Sequence, residues 1–318
     1  MSHIVVIGAG QAGCSLVAKL RQQGFEGEIT LIGAETAPPY QRPPLSKAYL
    51  LGEMEKERLL LRPESYYADN NITLKLGTYV TAIDTAAKTV TAGDEVIAYD
   101  QLALTTGSDP RRLPAAIGGD LEGVYVVRGL DDVDAMAPSV TEGKRALIVG
   151  GGYIGLEAAA VCAKRGVNVT LVEMADRILQ RVAAPETSDY FRALHTGHGA
   201  GIREGIGLKE LVGKDGKVTG AVLSDGSGIE VDFVVVGVGI APSTALAEAA
   251  GIELENGIKT DAQGRTSAPD VWAAGDCASF PYKGSRIRLE SVPNAIDQAE
   301  VVAENMRGAE KDYVATPW

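Results

Sequence analysis

Cysteine is scarce in this chain of 318 residues: Cys14, Cys162 and Cys277 are far apart and form no CxxC pair. That spacing excludes a disulfide framework, a thiolate metal site and a paired-thiol redox motif. A reducing, cytoplasmic compartment is the simplest expectation. Histidine is equally sparse, and His3, His195 and His198 stand beside no motif, so no catalytic histidine and no metal are expected. Basic residues number 30 against 42 acidic ones, a formal net charge of −12. With nothing basic concentrated in one place, general nucleic-acid binding is excluded. Aromatics are only 5% of the chain. No apolar run reaches the ~18 residues of a membrane-spanning helix. Residues 233–241 are apolar but short and glycine-broken, and read as a core strand. The first strand begins within three residues of Met1, so no signal peptide is expected.

What is present is glycine, 38 residues, in a chain that is 45% apolar and long enough for two domains. These suit an α/β protein rich in tight turns. The opening stretch IVVIGAGQAG is a buried strand running into Gly8, Gly10 and Gly13, followed by a helical pattern. In such a turn one glycine permits the bend and the second lets backbone N–H groups approach a pyrophosphate. The third lets helix and strand pack closely, and the helix N-terminus adds partial positive charge. Glu35 follows the next strand, 28–32, roughly 20 residues on, where an acid can accept ribose hydroxyls. At Ala146 the pattern repeats: ALIVGGGYIGLEAAAV carries Gly150, Gly152 and Gly155, with Ile154 in the turn and Glu173 closing the strand 168–172. Two glycine turns, each with a following acid, predict two bound dinucleotides. Glu173 favours a free 2′-hydroxyl, hence NADH, although nearby Arg177 and Arg181 leave NADPH open. Gly239, at another strand end, is a candidate wall for the second nucleotide.

Between these motifs lie several marked segments. PPYQRPPLSK is a proline-stiffened loop with Arg42 and Lys47, expected to end at Ser46 as a helix cap. Its two cations read equally as surface charge or as charge positioned beside a cofactor. Short strands are expected over 72–76, 80–84 (beginning at Val80) and 89–98. The stretch YDQLALTTG is a strand ending in Thr106 and Gly107. Pro110 and Pro114 mark an exit from the first domain. VWAAGD is a buried strand ending in Asp276. Ser291, Val292 and Pro293 read as cap and first turn of a helix running to Met306. Cys14 and Cys162 read as helix packing and Cys277 as filler at a strand end.

Taken together, IVVIGAGQAG, PYQRPPLSKAYL, LTTGSDPR, VGGGYIGLE, VWAAGDCASF and IRLESVPNAIDQA closely resemble the pyridine-nucleotide:flavin oxidoreductases of the glutathione-reductase fold. Within them the resemblance is to the NADH-dependent ferredoxin reductases of the putidaredoxin reductase type, and it covers essentially the whole chain. It implies two Rossmann-like dinucleotide-binding domains, with the NAD domain inserted in the FAD domain. The first part of the FAD domain would span 1–112, the NAD domain 113–248 and the second FAD part 249–312. Residues 313–318 would start a C-terminal interface domain, which usually supports dimerisation and is absent from this chain.

The resemblance also implies site residues. FAD would lie on Gly8, Gly10, Gly13, Glu35, Arg42, Lys47, Val80, Thr106, Gly107, Arg128, Asp276 and the Val292 backbone. NADH would lie on Gly150, Gly152, Ile154, Gly155, Glu173 and Gly239. Lys47 and Glu157 would be the catalytic pair, near the flavin ring and the nicotinamide. The implied partner is a 2Fe–2S ferredoxin feeding an oxygenase such as a cytochrome P450. Two positions depart from the family pattern: Ser243, where an asparagine is common, and Asp109, where a basic residue is common. Competing readings are a redox sensor or interaction protein of the apoptosis-inducing-factor type, and a peroxide, oxygen or disulfide reductase. The last needs a reactive thiol, which the loop 41–47 lacks.

Overall fold

The computed structural model describes residues 2–316 and forms two compact units. Of residues 313–318, expected to start a further domain, Pro317 and Trp318 lie outside the described residues. One unit comprises residues 2–41, 60–109 and 242–316. At its centre is a parallel sheet in the order Val271–Ala273, Gln101–Leu104, His3–Ile7, Glu28–Ile32, Ile72–Lys75. The opening run is apolar without alternation because both faces of this sheet are covered. Ile4 and Val6 pack into one cluster with Leu16, Leu20 and Val302, while Val5 and Ile7 pack into another with Val90, Ile97 and Leu104. Each fully buried Leu of this kind stabilises by roughly 1.5–3 kcal/mol. The helix Gln11–Gln22 covers the first face beside Val292–Met306. Lys19 fastens the two helices through Glu304 at 3.1 Å and Glu300 at 3.3 Å. An antiparallel sheet of Val80–Asp84, Thr89–Ala92 and Glu95–Ala98 supplies part of the second face.

The other unit comprises residues 42–59 and 110–241 and repeats the scheme. Its parallel sheet runs Gly201–Glu204, Asn168–Glu173, Arg145–Val149, Phe233–Val236, Val124–Tyr125. Here too the strand that feeds the glycine turn is central. The antiparallel partner sheet is Leu208–Lys214, Lys217–Leu223 and Gly228–Glu230. Leu147, Val149, Val172 and Val236 pack with Leu211, Val218 and Leu223 from it.

The unit boundaries differ from the expected ones at residues 42–59, 110–112, 242–248 and 313–316. Residues 42–59, read as part of a first domain 1–112, group with the second unit. They pack on the helices Tyr153–Lys164 and Leu130–Met136, and Lys164 reaches Glu53 at 2.7 Å. The helix Ala245–Ala249, read as the end of a domain 113–248, belongs to the first unit, where Ala247 is buried in the second-face cluster. The expected cap at Ser46 is also corrected. The helical turn Leu45–Tyr49 is preceded by Pro44, Ser46 lies inside it, and the backbone leaves helical geometry at Lys47 (φ −130°, ψ −111°). Among the described residues no helix is long and apolar enough to cross a membrane, and no cluster of His, Cys, Asp and Glu could hold a metal.

Candidate functional site

The two glycine turns are built alike, bond for bond. In the first unit the Gly8 amide donates to the Ile32 carbonyl at 2.8 Å, and the Thr105 amide donates to the Ile7 carbonyl at 2.8 Å. In the second, the Gly150 amide donates to Val172 at 2.9 Å and the Gly237 amide to Val149 at 2.8 Å. Gly8 and Gly150 adopt φ of +113° and +107°, and a Cβ on them would stand 2.2 and 2.4 Å from the carbonyl oxygens of Thr105 and Gly237. A Cβ on Gly13 would meet the Gly8 oxygen at 2.1 Å, and one on Gly155 the Gly150 oxygen at 2.0 Å. The outer glycines are therefore demanded by the fold itself. The middle ones are not: a Cβ on Gly10 or Gly152 would meet nothing within 4 Å. Each is also the cap of its helix and makes no side-chain cap bond. The open face, the helix start and its first-turn N–H groups suit a pyrophosphate in both units.

The two acids are not equivalent. Gly8 pairs with Ile32 as Gly150 pairs with Val172, so the counterpart of Glu173 is Gly33. That glycine is needed because its Cβ would stand 2.6 Å from the Ala9 Cβ, whereas the second turn has Gly151 there. Glu173 is pinned by its own turn. Its Oε2 accepts the Gly151 amide at 2.6 Å and its Oε1 the Ala175 amide at 2.8 Å. Glu35 stands two residues further along its loop and accepts a hydrogen bond from the Tyr40 hydroxyl.

Three adjacent strands of the first unit end around its turn. The Thr105 hydroxyl donates to the Gly8 carbonyl at 2.8 Å. Next to it, the Thr106 hydroxyl donates to the Ser243 carbonyl at 2.7 Å, and the Gly107 carbonyl accepts the Ser243 amide at 3.0 Å. Gly275 lies against Ala12, its amide held by the Gln298 side chain at 2.9 Å, and Asp276 accepts from the Ser108 hydroxyl at 3.1 Å. The Ser291 side chain caps the helix Val292–Met306 through the Asn294 amide at 3.2 Å, as expected, which leaves Val292 as the first helical residue. Val80 lies in the antiparallel sheet, packed on the second-face cluster. The two departures from the family pattern prove to be one contact: the Ser243 hydroxyl donates to Asp109 Oδ2 at 2.5 Å.

The second unit gathers the remaining residues. Arg42 donates to the Arg128 carbonyl at 2.7 Å. Ile154 is exposed in the first turn of its helix. The Gly239 carbonyl accepts the Arg111 amide at 2.9 Å, and the Arg181 guanidinium lies close by. Lys47 Nζ donates to Glu157 Oε2 at 2.7 Å and to the Pro43 carbonyl at 3.0 Å, while the Ser46 hydroxyl donates to the same Oε2 at 2.6 Å. Glu157 also lines a cleft of about 620 Å³ with Tyr153, Leu156, Phe191 and Leu194. Arg177 is committed elsewhere, to the Ser188 hydroxyl at 2.6 Å and the Gln180 carbonyl at 3.3 Å.

Sequence reasoning missed Tyr40, Thr105, Gln298 and Ser46 as functional neighbours. Thr105, Gln298 and Ser46 carry no local signal, since each acts on a partner supplied by another element, whereas Tyr40 reaches Glu35 within its own loop. The three thiols are free and buried, and burial pushes all of them up, Cys162 to about 12. They are protonated at neutral pH and poor nucleophiles. His195 is buried near the end of its helix, and burial lowers its pKa.

The profile of the pyridine nucleotide-disulphide oxidoreductase family matches residues 2–299. Over 320 residues the chain is 45% identical to a ferredoxin–NAD(P)(+) reductase of Sphingomonas sp, covering 99% of this chain and 77% of that protein. Against the rhodocoxin reductase of Rhodococcus erythropolis the identity is 42%, covering 99% of this chain and 74% of the relative. Among solved structures, a covalent putidaredoxin reductase–putidaredoxin complex matches with a TM-score of 0.96 and 39% identity, over 100% of this chain and 78% of that one.

Proposed function

The chain belongs to the pyridine nucleotide-disulphide oxidoreductase family, and on that premise we propose that it is an FAD-dependent ferredoxin reductase drawing electrons from NADH. The carrying observation is the pair of matching glycine cradles, each open at its middle residue. FAD is assigned to the first unit and NADH to the second. The partner is a 2Fe–2S ferredoxin that feeds an oxygenase, in keeping with the ferredoxin and rhodocoxin reductases the chain is similar to. A cytoplasmic setting suits three buried, unpaired thiols.

The chemistry that bound FAD would supply is acceptance of electrons in pairs and their release singly, as an iron–sulfur partner requires. The protein's own groups bind, orient and supply charge. The first-turn amides after Gly10 and Gly152 receive the pyrophosphates. Glu35 and Asp276 accept hydrogen bonds from polyol or ribose hydroxyls of the first ligand. Val292, at the capped start of its helix, offers an N–H and the positive end of the helix dipole to the electron-rich edge of the ring. Glu173, oriented by two backbone amides, accepts the ribose hydroxyls of NADH and opposes a 2′-phosphate. Arg177, engaged by Ser188 and Gln180, is not placed to offset that charge. Lys47 and Glu157 hold a charge pair at the nicotinamide end, and Arg42 and Arg128 supply further positive charge to the first ligand. A half-exposed ion pair adds only about 0–1 kcal/mol to stability.

The test is direct. The purified chain is expected to be yellow, to bleach anaerobically with NADH far faster than with NADPH, and to pass electrons to a 2Fe–2S ferredoxin. A colourless protein, or a yellow one that NADH leaves unbleached, sinks the proposal.

A further inference from the structure

Adjacent residues in a regular helix point about 100° apart and do not share a partner. Ser46 and Lys47 do share one. The backbone leaves helical geometry at Lys47 (φ −130°, ψ −111°), and both side chains converge on Glu157 Oε2, at 2.6 and 2.7 Å. The two contacts differ in kind. Lys47 is a long side chain, 49% exposed, divided between Glu157 and the Pro43 carbonyl. Such a contact is loose and is screened by salt. Ser46 is 6% exposed and has a single rotatable bond. Its turn is fixed by buried Leu45 on one side and by the Tyr49 hydroxyl, which donates to Asp134 at 2.7 Å, on the other.

We infer that Ser46 is a positioning residue: its hydroxyl, rather than the Lys47 ammonium, fixes the Glu157 carboxylate for the reaction with NADH. This rests on the reductase reading above. Lys47 is then free to leave and regain Glu157 without the carboxylate losing its place. The serine looks like a helix cap in sequence, yet it spends its hydroxyl on a carboxylate from another element.

The experiment is a double-mutant cycle of Ser46→Ala and Glu157→Gln, read as the rate of anaerobic flavin bleaching by NADH in rapid mixing. Ser46→Ala alone is expected to slow bleaching about tenfold, the loss typical of one hydrogen bond to a charged group. In the Glu157→Gln background the same change is expected to cost less than about twofold, because the carboxylate it positions is gone. A merely structural serine would cost the same factor in both backgrounds, and that result overturns the inference. So does an unslowed Ser46→Ala enzyme. If Ser46→Ala holds too little FAD to measure, Ser46→Cys, similar in size but a weak donor, takes its place with the same two outcomes. Wild-type protein that NADH fails to bleach would instead count against the reductase reading.

Discussion

Glu173 is oriented by the turn it serves: its Oε2 accepts the Gly151 amide at 2.6 Å. The acid proposed to meet the nucleotide ribose is thereby tied to the loop proposed to receive the pyrophosphate. Replacing Glu173 with Ala removes both the ribose acceptor and the repulsion of a 2′-phosphate. We expect kcat/KM for NADH to fall about tenfold, with little loss for NADPH, so that the preference between them collapses. Steady-state kinetics with both nucleotides measure it.

The outer and middle glycines should respond differently to the same added methyl. Gly8→Ala puts a Cβ 2.2 Å from the Thr105 oxygen at a φ of +113°, and should destabilise the apoprotein by about 2–4 kcal/mol. Gly10→Ala meets nothing within 4 Å. It should leave the apoprotein within about 1 kcal/mol of wild type while weakening FAD binding at least tenfold. Denaturant midpoints and flavin titration separate the two.

Alkaline pH should weaken the fold. Burial holds Cys162 up to about 12 in the folded protein, against an ordinary value of 9.0. The thiol stays protonated in the folded state while the unfolded chain ionises, so its contribution is complete below pH 9 and is lost as pH rises toward 12. Buried Tyr313, also raised to about 12 by burial, acts in the same sense. Each such group costs up to about 1.4 kcal/mol per pH unit in that window. Urea midpoints at pH 7, 9 and 10 should fall in that order, and Cys162→Ala should flatten the decline between 9 and 10.

Ser291→Ala removes the acceptor of the Asn294 amide and should cost about 1 kcal/mol. The loss is read as a lower thermal midpoint. If Val292 holds the flavin edge, the variant should also release FAD more readily on dilution.

The parts of the fold set by backbone sterics were legible in the sequence. Gly8, Gly13, Gly150 and Gly155 are where a side chain cannot go, so they mark both turns without any tertiary knowledge. The Ser291 cap was readable for a similar reason, since serine before proline serves a helix start locally. Ser46 misled because its hydroxyl bonds to Glu157, more than a hundred residues away, and no local pattern encodes that. Spacing alone did not distinguish the two acids: Glu35 and Glu173 look alike in sequence, yet Ala9 forces a glycine at the position that Gly151 leaves to Glu173. Residues 42–59 were assigned by neighbours in sequence, whereas their packing on Tyr153–Lys164 decides where they belong.

The interleaving of the two units has a kinetic consequence. All five parallel strands of the second unit's sheet occur between Val124 and Val236, so that sheet can assemble from one uninterrupted length of chain. The other must wait for Val271–Ala273 to seat against Gln101–Leu104, and that strand emerges from the ribosome only after the whole of the second sheet. Pairing across so long a loop is slow. The nascent protein is therefore expected to complete the sheet of its second unit first and that of its first unit last, with an unfinished sheet edge in the interval for chaperones to shield.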